Sequence, residues 1–501
     1  MVAQARSAPG AGDLSLRSTQ GRWVLLTTVL GSGIAFLDGT VVNVALPRMG
    51  SELHAGMADL QWTVTAYTLT LSAFLLLGGA LGDRYGRRLI FVIGLWSFAI
   101  ASLLCGIAPS APLLVAARAV QGMGGALLTP GSLAIIQATF RPSDRGAAIG
   151  AWSGFAALFG AAGPLLGGVI VMTLTWRLVF FINLPLALVA GLIALRHVPE
   201  TMRSERRGRL DVQGPLLAAA GLTGVTFGLI QGTADRWAHP ADVVALAVGV
   251  VLLVAFVVVE WRGRDPVMPL GLFRSPVFSG TNGATFLIYG ALSGVSFLVV
   301  LQLQEVLRYS PLAAGVSLLP LTLTLLLLSS RAGRLAAAIG PRIPMTVGPL
   351  LAAAGMAMFA RLVPGSSYAT TVLPAAIVFG LGMTLTVPAL TTTALGAVPT
   401  DRAGVASAVN NDVARAAGLI AIAIIPALAG IATGGSQVNV ASLQAGFGTG
   451  MFICAGFCAA GGIISFLTVP GREKATCGAR AMAECAMPPS IAVPIEEHQA
   501  A

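Results

Sequence analysis

Two carboxylates lie well inside apolar stretches of this chain: Asp38 in "LDGTVVNVALP" (residues 37–47) and Asp412 in "SAVNNDVARAAG" (407–418). An ionisable group in hydrocarbon is costly unless a partner, a watered cavity or a function offsets it. The chemistry open to such a group is to lose and regain a proton, or to hold a cation. Histidine, which titrates closest to neutral pH, is not available for this. His54, His197, His239 and His498 all fall in connections or tails. Of the remaining acids, Glu305 only approaches the end of an apolar run and Glu260 closes one.

The elements that must position these groups follow from composition. The 501 residues are 56% hydrophobic and 10% charged, with a mean hydropathy of +0.85. Fourteen runs are long enough to cross roughly 30 Å of hydrocarbon at about 1.5 Å per residue. They lie near 23–46, 61–82, 89–107, 112–137, 147–171, 178–196, 212–232, 241–259, 280–303, 312–332, 343–363, 370–393, 404–430 and 446–469. Backbone groups find no water in lipid, so the runs are expected as helices, since a barrel would show shorter alternating segments. The fold class is an all-α polytopic membrane protein.

The net charge of +10 does not point to nucleic acid. Nearly every basic residue is an Arg in a connection, and Lys474 is the only Lys. With the N-terminus placed in the cytoplasm, 23 of the 30 basic residues fall inside and five outside, while Arg118 and Arg415 lie within runs. The positive-inside rule then puts both tails in the cytoplasm. Trp23, Trp62, Trp176, Trp237 and Trp261 fall near run ends, as an interfacial belt would require. The first residues lack the apolar core and cleavage site of a secretory signal, so the first run is expected to remain as an anchor. Five cysteines form no framework; Cys454 and Cys458 sit a turn apart in the last run, and Cys477 and Cys485 lie in the tail.

Depth suggests partners. Asp38 lies roughly 10 Å below the outer end of the first run and Arg118 roughly 9 Å below the same face in the fourth. They share a layer, either as a static pair joining two helices or as a proton-coupling site. Asp412 lies about 12 Å from the inner face, with Arg415 three residues on and so on the same helical surface. That pair reads either as a local ion pair or as a cavity carboxylate for a cationic substrate or a second proton. Asn43, Gln121, Asn410, Asn411 and Phe155 are further candidates for lining an interior cavity, with packing as the other reading.

Internal repetition fixes the architecture. Gly79, Leu81, Gly86 and Arg88 of "GALGDRYGRR" match Gly333, Leu335, Gly340 and Arg342 of "GRLAAAIGPR" at an offset of 254. Pro142, Asp144 and Arg145 match Pro399, Asp401 and Arg402 at 257. Two six-helix halves are thus duplicated in parallel, with runs seven and eight between them. Here the chain resembles the major facilitator superfamily, and within it the fourteen-helix drug:proton antiporters. The likeness runs from Arg22 to Gly471 and rests on "GALGDRYGRRLI", "RAVQGMGGA" around Arg118, "GAAGPLLGG" (160–168), "LDGTVVNVALP", "WRLVFFINLP" (176–185) and "SAVNNDVARAAG".

The resemblance implies a cytoplasmic tail (1–21), a first bundle (22–197), a loop with the inserted pair (198–279), a second bundle (280–470) and a second cytoplasmic tail (471–501). It implies an antiporter motif at Gly163, Pro164, Gly167 and Gly168, from which the chain departs at Phe159, where an earlier glycine is expected. Position 412 is usually small and apolar in the related pattern. Gly79, Asp83, Arg84, Gly86, Arg87 and Arg88 are expected to form a cytoplasmic latch, one-sided because Ala337 and Ala338 replace its Asp and Arg in the second copy. No phosphate loop, metal cluster or nucleophile triad is visible, so no enzyme activity and no cofactor are expected. The implied function is proton-coupled export of small amphipathic compounds through the plasma membrane by a monomer. Its partners are substrate, protons and the bilayer. The alternatives are a dedicated exporter of one metabolite, lipid or self-made antibiotic and, more remotely, a non-transporting sensor.

Overall fold

The computed structural model describes residues 14–201, 213–263, 268–398 and 403–471. Among these it contains fourteen helical spans long and apolar enough to cross a membrane, one of them bent by 48°. In order they are α1 (Thr19–Leu53), α2 (Met57–Tyr85, the bent one), α3 (Arg87–Ile107), α4 (Ala111–Thr139), α5 (Pro142–Thr173), α6 (Leu178–His197) and α7 (Gln213–Ala234). There follow α8 (Pro240–Arg262), α9 (Pro276–Val306), α10 (Pro311–Ile339), α11 (Arg342–Phe359), α12 (Tyr368–Gly396), α13 (Ala403–Leu428) and α14 (Val440–Thr468). Starts are set locally: Ser18, Ser275, Ser310 and Asn439 accept a backbone N–H of the first turn, and Pro276 and Pro311 fill the first helical position, where a missing N–H does no harm.

The duplication read in the sequence recurs in the packing. In the first half α1 packs on α5 and α6, and α4 on α2 and α3. In the second, α9 packs on α13 and α14, and α12 on α10 and α11. Gly86 (φ 113°) and Gly340 (φ 90°) make the equivalent sharp turn in the two copies, a conformation that excludes a Cβ. Even the segments ahead of the first helix of each half correspond. Leu14 exchanges backbone hydrogen bonds with Thr139 and Arg141 at the α4–α5 elbow, and Leu272 packs against Ala406 and Val409 of α13. Asp144 accepts the Leu16 N–H there at 2.9 Å; its repeat partner Asp401 lies outside the described residues.

Between the halves, α7 and α8 meet along a seam of small residues in which Gly221, Gly224 and Gly228 face Leu253, Gly249 and Leu246, the close approach that small residues permit in lipid. α7 then lies against both α2 and α13, one from each half. Only 11% of the apolar stretch of α8 is buried, so that helix faces lipid. Trp176, expected in an interfacial belt, is instead fully buried and donates its indole N–H to Glu52 at 2.8 Å.

Hydrogen bonds and close glycine contacts join the halves at one end. We call the end where α1 begins and α14 finishes the near end. At the far end, Gln304 of α9 donates to the Val44 carbonyl of α1 at 3.0 Å, and Gln61 of α2 donates to the Ile422 carbonyl of α13 at 2.6 Å. The second acceptor has a clear origin. Pro426 stands four residues beyond Ile422 and has no N–H to give it. Gly168 of α5 meets Leu312, and Gly315 of α10 meets Pro164. Toward the near end this closeness is lost: Gly146, Gly150, Gly154 and Gly160 of α5 have nothing within 4 Å of where a Cβ would stand.

A Gln61→Leu variant removes the cross-half donor and leaves the Ile422 carbonyl unmatched. One such bond is worth roughly 1 kcal/mol net. The expected outcome is about fivefold faster maleimide labelling in detergent of a cysteine placed by Thr65→Cys in an otherwise cysteine-free chain, because Thr65 is fully buried behind this contact.

Candidate functional site

Asp38 and Arg118 are brought together, both buried to within 1%. Arg118 Nη1 donates to Asp38 Oδ2 and, at 2.7 Å, to Gln121 Oε1, while its Nε donates to the Thr63 carbonyl at 3.1 Å. The guanidinium lies 4.3 Å from the Tyr67 ring centroid and 5.8 Å from that of Phe180. Asp38 Oδ1 accepts from Gln121 Nε2 at 2.9 Å and from Asn183 Nδ2 at 3.0 Å. Ser102 Oγ accepts from both of those amides and donates to the Phe180 carbonyl. Five of the six helices of the first half therefore meet around one carboxylate: α1, α2, α3, α4 and α6.

The helices explain the placement. On α4, residues 118 and 121 are neighbours on one face, so Arg118 and Gln121 grip the two oxygens of one carboxylate. Asn183 opens the second segment of α6, just after the break at Ile182 that separates Leu178–Phe181 from Asn183–His197. That break turns Asn183 inward. Neither Asn183 nor Ser102 was among the expected site residues. Asn183 lies inside the quoted "WRLVFFINLP", which was its one sequence signal, and Ser102 had none.

The glycine-rich stretch around Pro164 wedges α5 against this site. A Cβ on Gly163 would come within 2.0 Å of Thr40 Oγ1, and one on Gly167 within 2.9 Å of Val41, two and three residues past Asp38. Gly168 makes the equally tight approach to Leu312 in the other half. Pro164, within the helix, contacts Gly315. Phe159, the departure from the family pattern, fits because its ring occupies the space above Gly33.

The expected cavity residues divide. Gln121 and Asn410 are buried and committed: Gln121 to Asp38 and Arg118, Asn410 to Asn282 and Thr285 of α9 at 3.1 and 2.8 Å. They are interior struts, which favours packing over cavity lining, the two readings open for them. Asn43 and Asn411 donate back to their own helices, and Phe155 is exposed. Asp412 is half-buried, and its Oδ1 has no hydrogen-bond partner. No ion pair within 4.0 Å joins it to Arg415 among the described residues, although the Arg415 charge acts on it through space.

The latch residues form a brace within the first half. Arg87 binds Asp83 at 2.7 Å and the Ala134 carbonyl at 3.2 Å. Arg88 reaches the Val198 carbonyl and Glu200. Arg84 lies over its neighbour Tyr85, and Gly79 contacts Pro130. Glu200, absent from the sequence expectations, accepts the backbone N–H groups of Arg88 and Leu89, capping α3 where the helix dipole favours an anion. Gly86 is needed there twice over, since a Cβ would also strike this carboxylate.

Removing one partner of a buried charge pair costs about 3–5 kcal/mol, because the other charge is stranded. Arg118→Leu and Asp38→Asn are each expected to destabilise the protein on that scale. The double variant should lose clearly less than their sum, as read by denaturation in mixed micelles.

The puromycin resistance protein of Streptomyces alboniger is 38% identical over 411 residues, covering 80% of each chain. The tetracenomycin C resistance and export protein of Streptomyces glaucescens is 35% identical over 409 residues, covering 81% of this chain and 75% of its own. Among solved structures, a peptide transporter, POT, in complex with sulfate superposes with a TM-score of 0.67 at 15% identity, covering 91% of this chain and 96% of its own, which speaks to the fold. Residues 28–423 match the family model of the Major Facilitator Superfamily, and the chain belongs to that superfamily.

Proposed function

We propose that this protein exports small amphipathic compounds, antibiotics among them, from the cytoplasm across the plasma membrane in exchange for protons, working as a monomer with both termini cytoplasmic. The observation that carries the coupling is the burial of Asp38 beside Arg118, in a motif shared with proton-coupled exporters. No histidine stands in its place; His54 and His197 sit at helix ends. The charge distribution supports the orientation, and the relatives' resistance and export names support the direction and substrate class.

In this orientation the near end faces the cytoplasm, so the closed far end and the separated inner part of α5 correspond to a form that receives substrate from inside. Opening the far end requires releasing the Gln61 and Gln304 contacts, and alternation between the two forms moves substrate outward. A dedicated exporter of one antibiotic is the second reading. The observation favouring it is that both relatives are named for single compounds.

Asp412 supplies a specificity element. A half-buried carboxylate with an oxygen free of hydrogen bonds attracts a substrate cation alongside the Arg415 charge.

Asp38→Asn is expected to abolish proton-driven efflux in everted vesicles and to leave a susceptibility pattern that an uncoupler no longer alters. Full coupled transport in that variant would remove Asp38 from the coupling role. Asp412→Ala is expected to lower export of cationic compounds about tenfold relative to neutral ones, the scale of one hydrogen bond to a charged group. Equal effects on both classes would assign Asp412 to structure.

A further inference from the structure

Every group around Asp38 donates to it. Arg118, Gln121 and Asn183 all present N–H, an arrangement complete for the ionised carboxylate and wrong for the acid, whose O–H needs an acceptor. Yet one acceptor is held in reserve, because Asn183 Oδ1 is buried and has no hydrogen-bond partner.

We propose that Asn183 is the positioning residue that adapts the site to a proton on Asp38. It donates to the carboxylate as Nδ2–H and, after a half-turn of its amide, accepts from the carboxylic acid through Oδ1. This rests on proton exchange at Asp38 as proposed above. An amide is nearly the same shape either way round, so the turn needs no repacking.

Gln121 cannot make this switch. Its Oε1 is held by Arg118 Nη1 at 2.7 Å and by Cys105 Sγ at 3.5 Å, and turning it would aim N–H groups at a guanidinium. Asn183 has no such anchor. Its second contact is Ser102 Oγ at 3.0 Å, a hydroxyl that rotates. When the amide turns, the Ser102 hydrogen swings from the Phe180 carbonyl to Asn183 Oδ1. The Phe180 carbonyl, which lies at the Ile182 break of α6, then loses that donor. No bond is made or broken beyond the proton that water brings to Asp38 Oδ1 and later removes.

The other charged or titratable groups near Asp38 are Arg118 on α4, Tyr67 on α2 and Cys105 on α3, with Arg415 of α13 beyond Tyr67. α6 contributes Asn183 and the Phe180 ring. Tyr67 donates its hydroxyl to the Ala35 carbonyl at 3.3 Å, so its proton is already placed.

The test is the pH dependence of proton uptake and release by the purified full-length protein. Asn183→Leu removes donor and acceptor together. The anion loses one of its three donors and the acid loses its acceptor. The two losses offset, so the midpoint is expected to stay within about half a pH unit of the wild type, whereas loss of a group that only donated to the anion would move it about one unit or more toward alkaline. Asn183→Ser retains a hydroxyl that donates or accepts and should stay near the wild type. A second measurement, on wild-type protein with isotope-labelled asparagine side chains, needs no variant to fold. Protonation should shift one amide C=O band in the infrared.

A midpoint moved about one unit or more toward alkaline in Asn183→Leu, or an unshifted amide band, would overturn the assignment. Asp38→Asn separates the two levels. If it titrates like the wild type, the carrier itself is misassigned; if its titration is lost while Asn183→Leu shifts about a unit or more toward alkaline, only the role of Asn183 falls.

Discussion

A carboxylate and a guanidinium taken wholly out of water set the terms for the first half of this protein. Neither ion recovers its hydration from the other alone, since desolvation in a low-dielectric interior exceeds what one contact returns. The remaining lone pairs and N–H groups must be met, and meeting them recruits Gln121, Asn183 and the Thr63 carbonyl from three helices. The Tyr67 and Phe180 rings cover what is left of the cation. Five helices are thereby held in one register by polar geometry. That matters in a membrane, where apolar contact between helices is little better than contact with lipid.

The helix left out of that network joins it to the other half by a further route. α5 touches α1 through Gly163 and Gly167, within a turn of Asp38, and touches α10 of the other half through Gly168. A change in the position of α1 is therefore felt at the interface between halves without a long chain of intermediates. The same glycines limit how far the helices separate before contact is lost, and the near-end portion of α5 already lacks it. Proline serves the opposite wall: by withholding one N–H, Pro426 leaves the Ile422 carbonyl exposed to Gln61, so a helix irregularity in one half becomes a docking point for the other.

How much of this was legible in the sequence follows from what a helix preserves. Depth is simple arithmetic at about 1.5 Å per residue, and depth alone paired Asp38 with Arg118 across 80 residues. The offset of the repeated motifs predicted two equivalent bundles, and Gly86 and Gly340 confirm it at the level of single φ angles. Azimuth was not legible, because breaks such as Ile182, π turns and internal prolines rotate one part of a span against the next. That is why Gln121 and Asn410, at suitable depths for a cavity wall, turned out to be interior struts. Asn183 and Glu200 were missed for another reason: a neutral amide and a loop acid carry no depth anomaly, and their meaning appears only when their partners are in place.

The two halves share a backbone plan but not a charge plan. In the second half the buried polar contacts among the described residues are neutral, Asn410 to Asn282 and Thr285, and Gln302 to the Leu362 carbonyl. Its deep carboxylate, Asp412, has an oxygen with nothing to hold. A carboxylate with a resident cation is satisfied and releases its hold only when a proton replaces part of that cation's work. Asp412 feels Arg415 only through space and keeps one oxygen without a hydrogen-bond partner. Asp38 on α1 and Asp412 on α13 are not copies of one position, since α13 corresponds to α5 and position 412 to Phe155 at the offset of 257, so the charge plans of the halves differ in place as well as in partner.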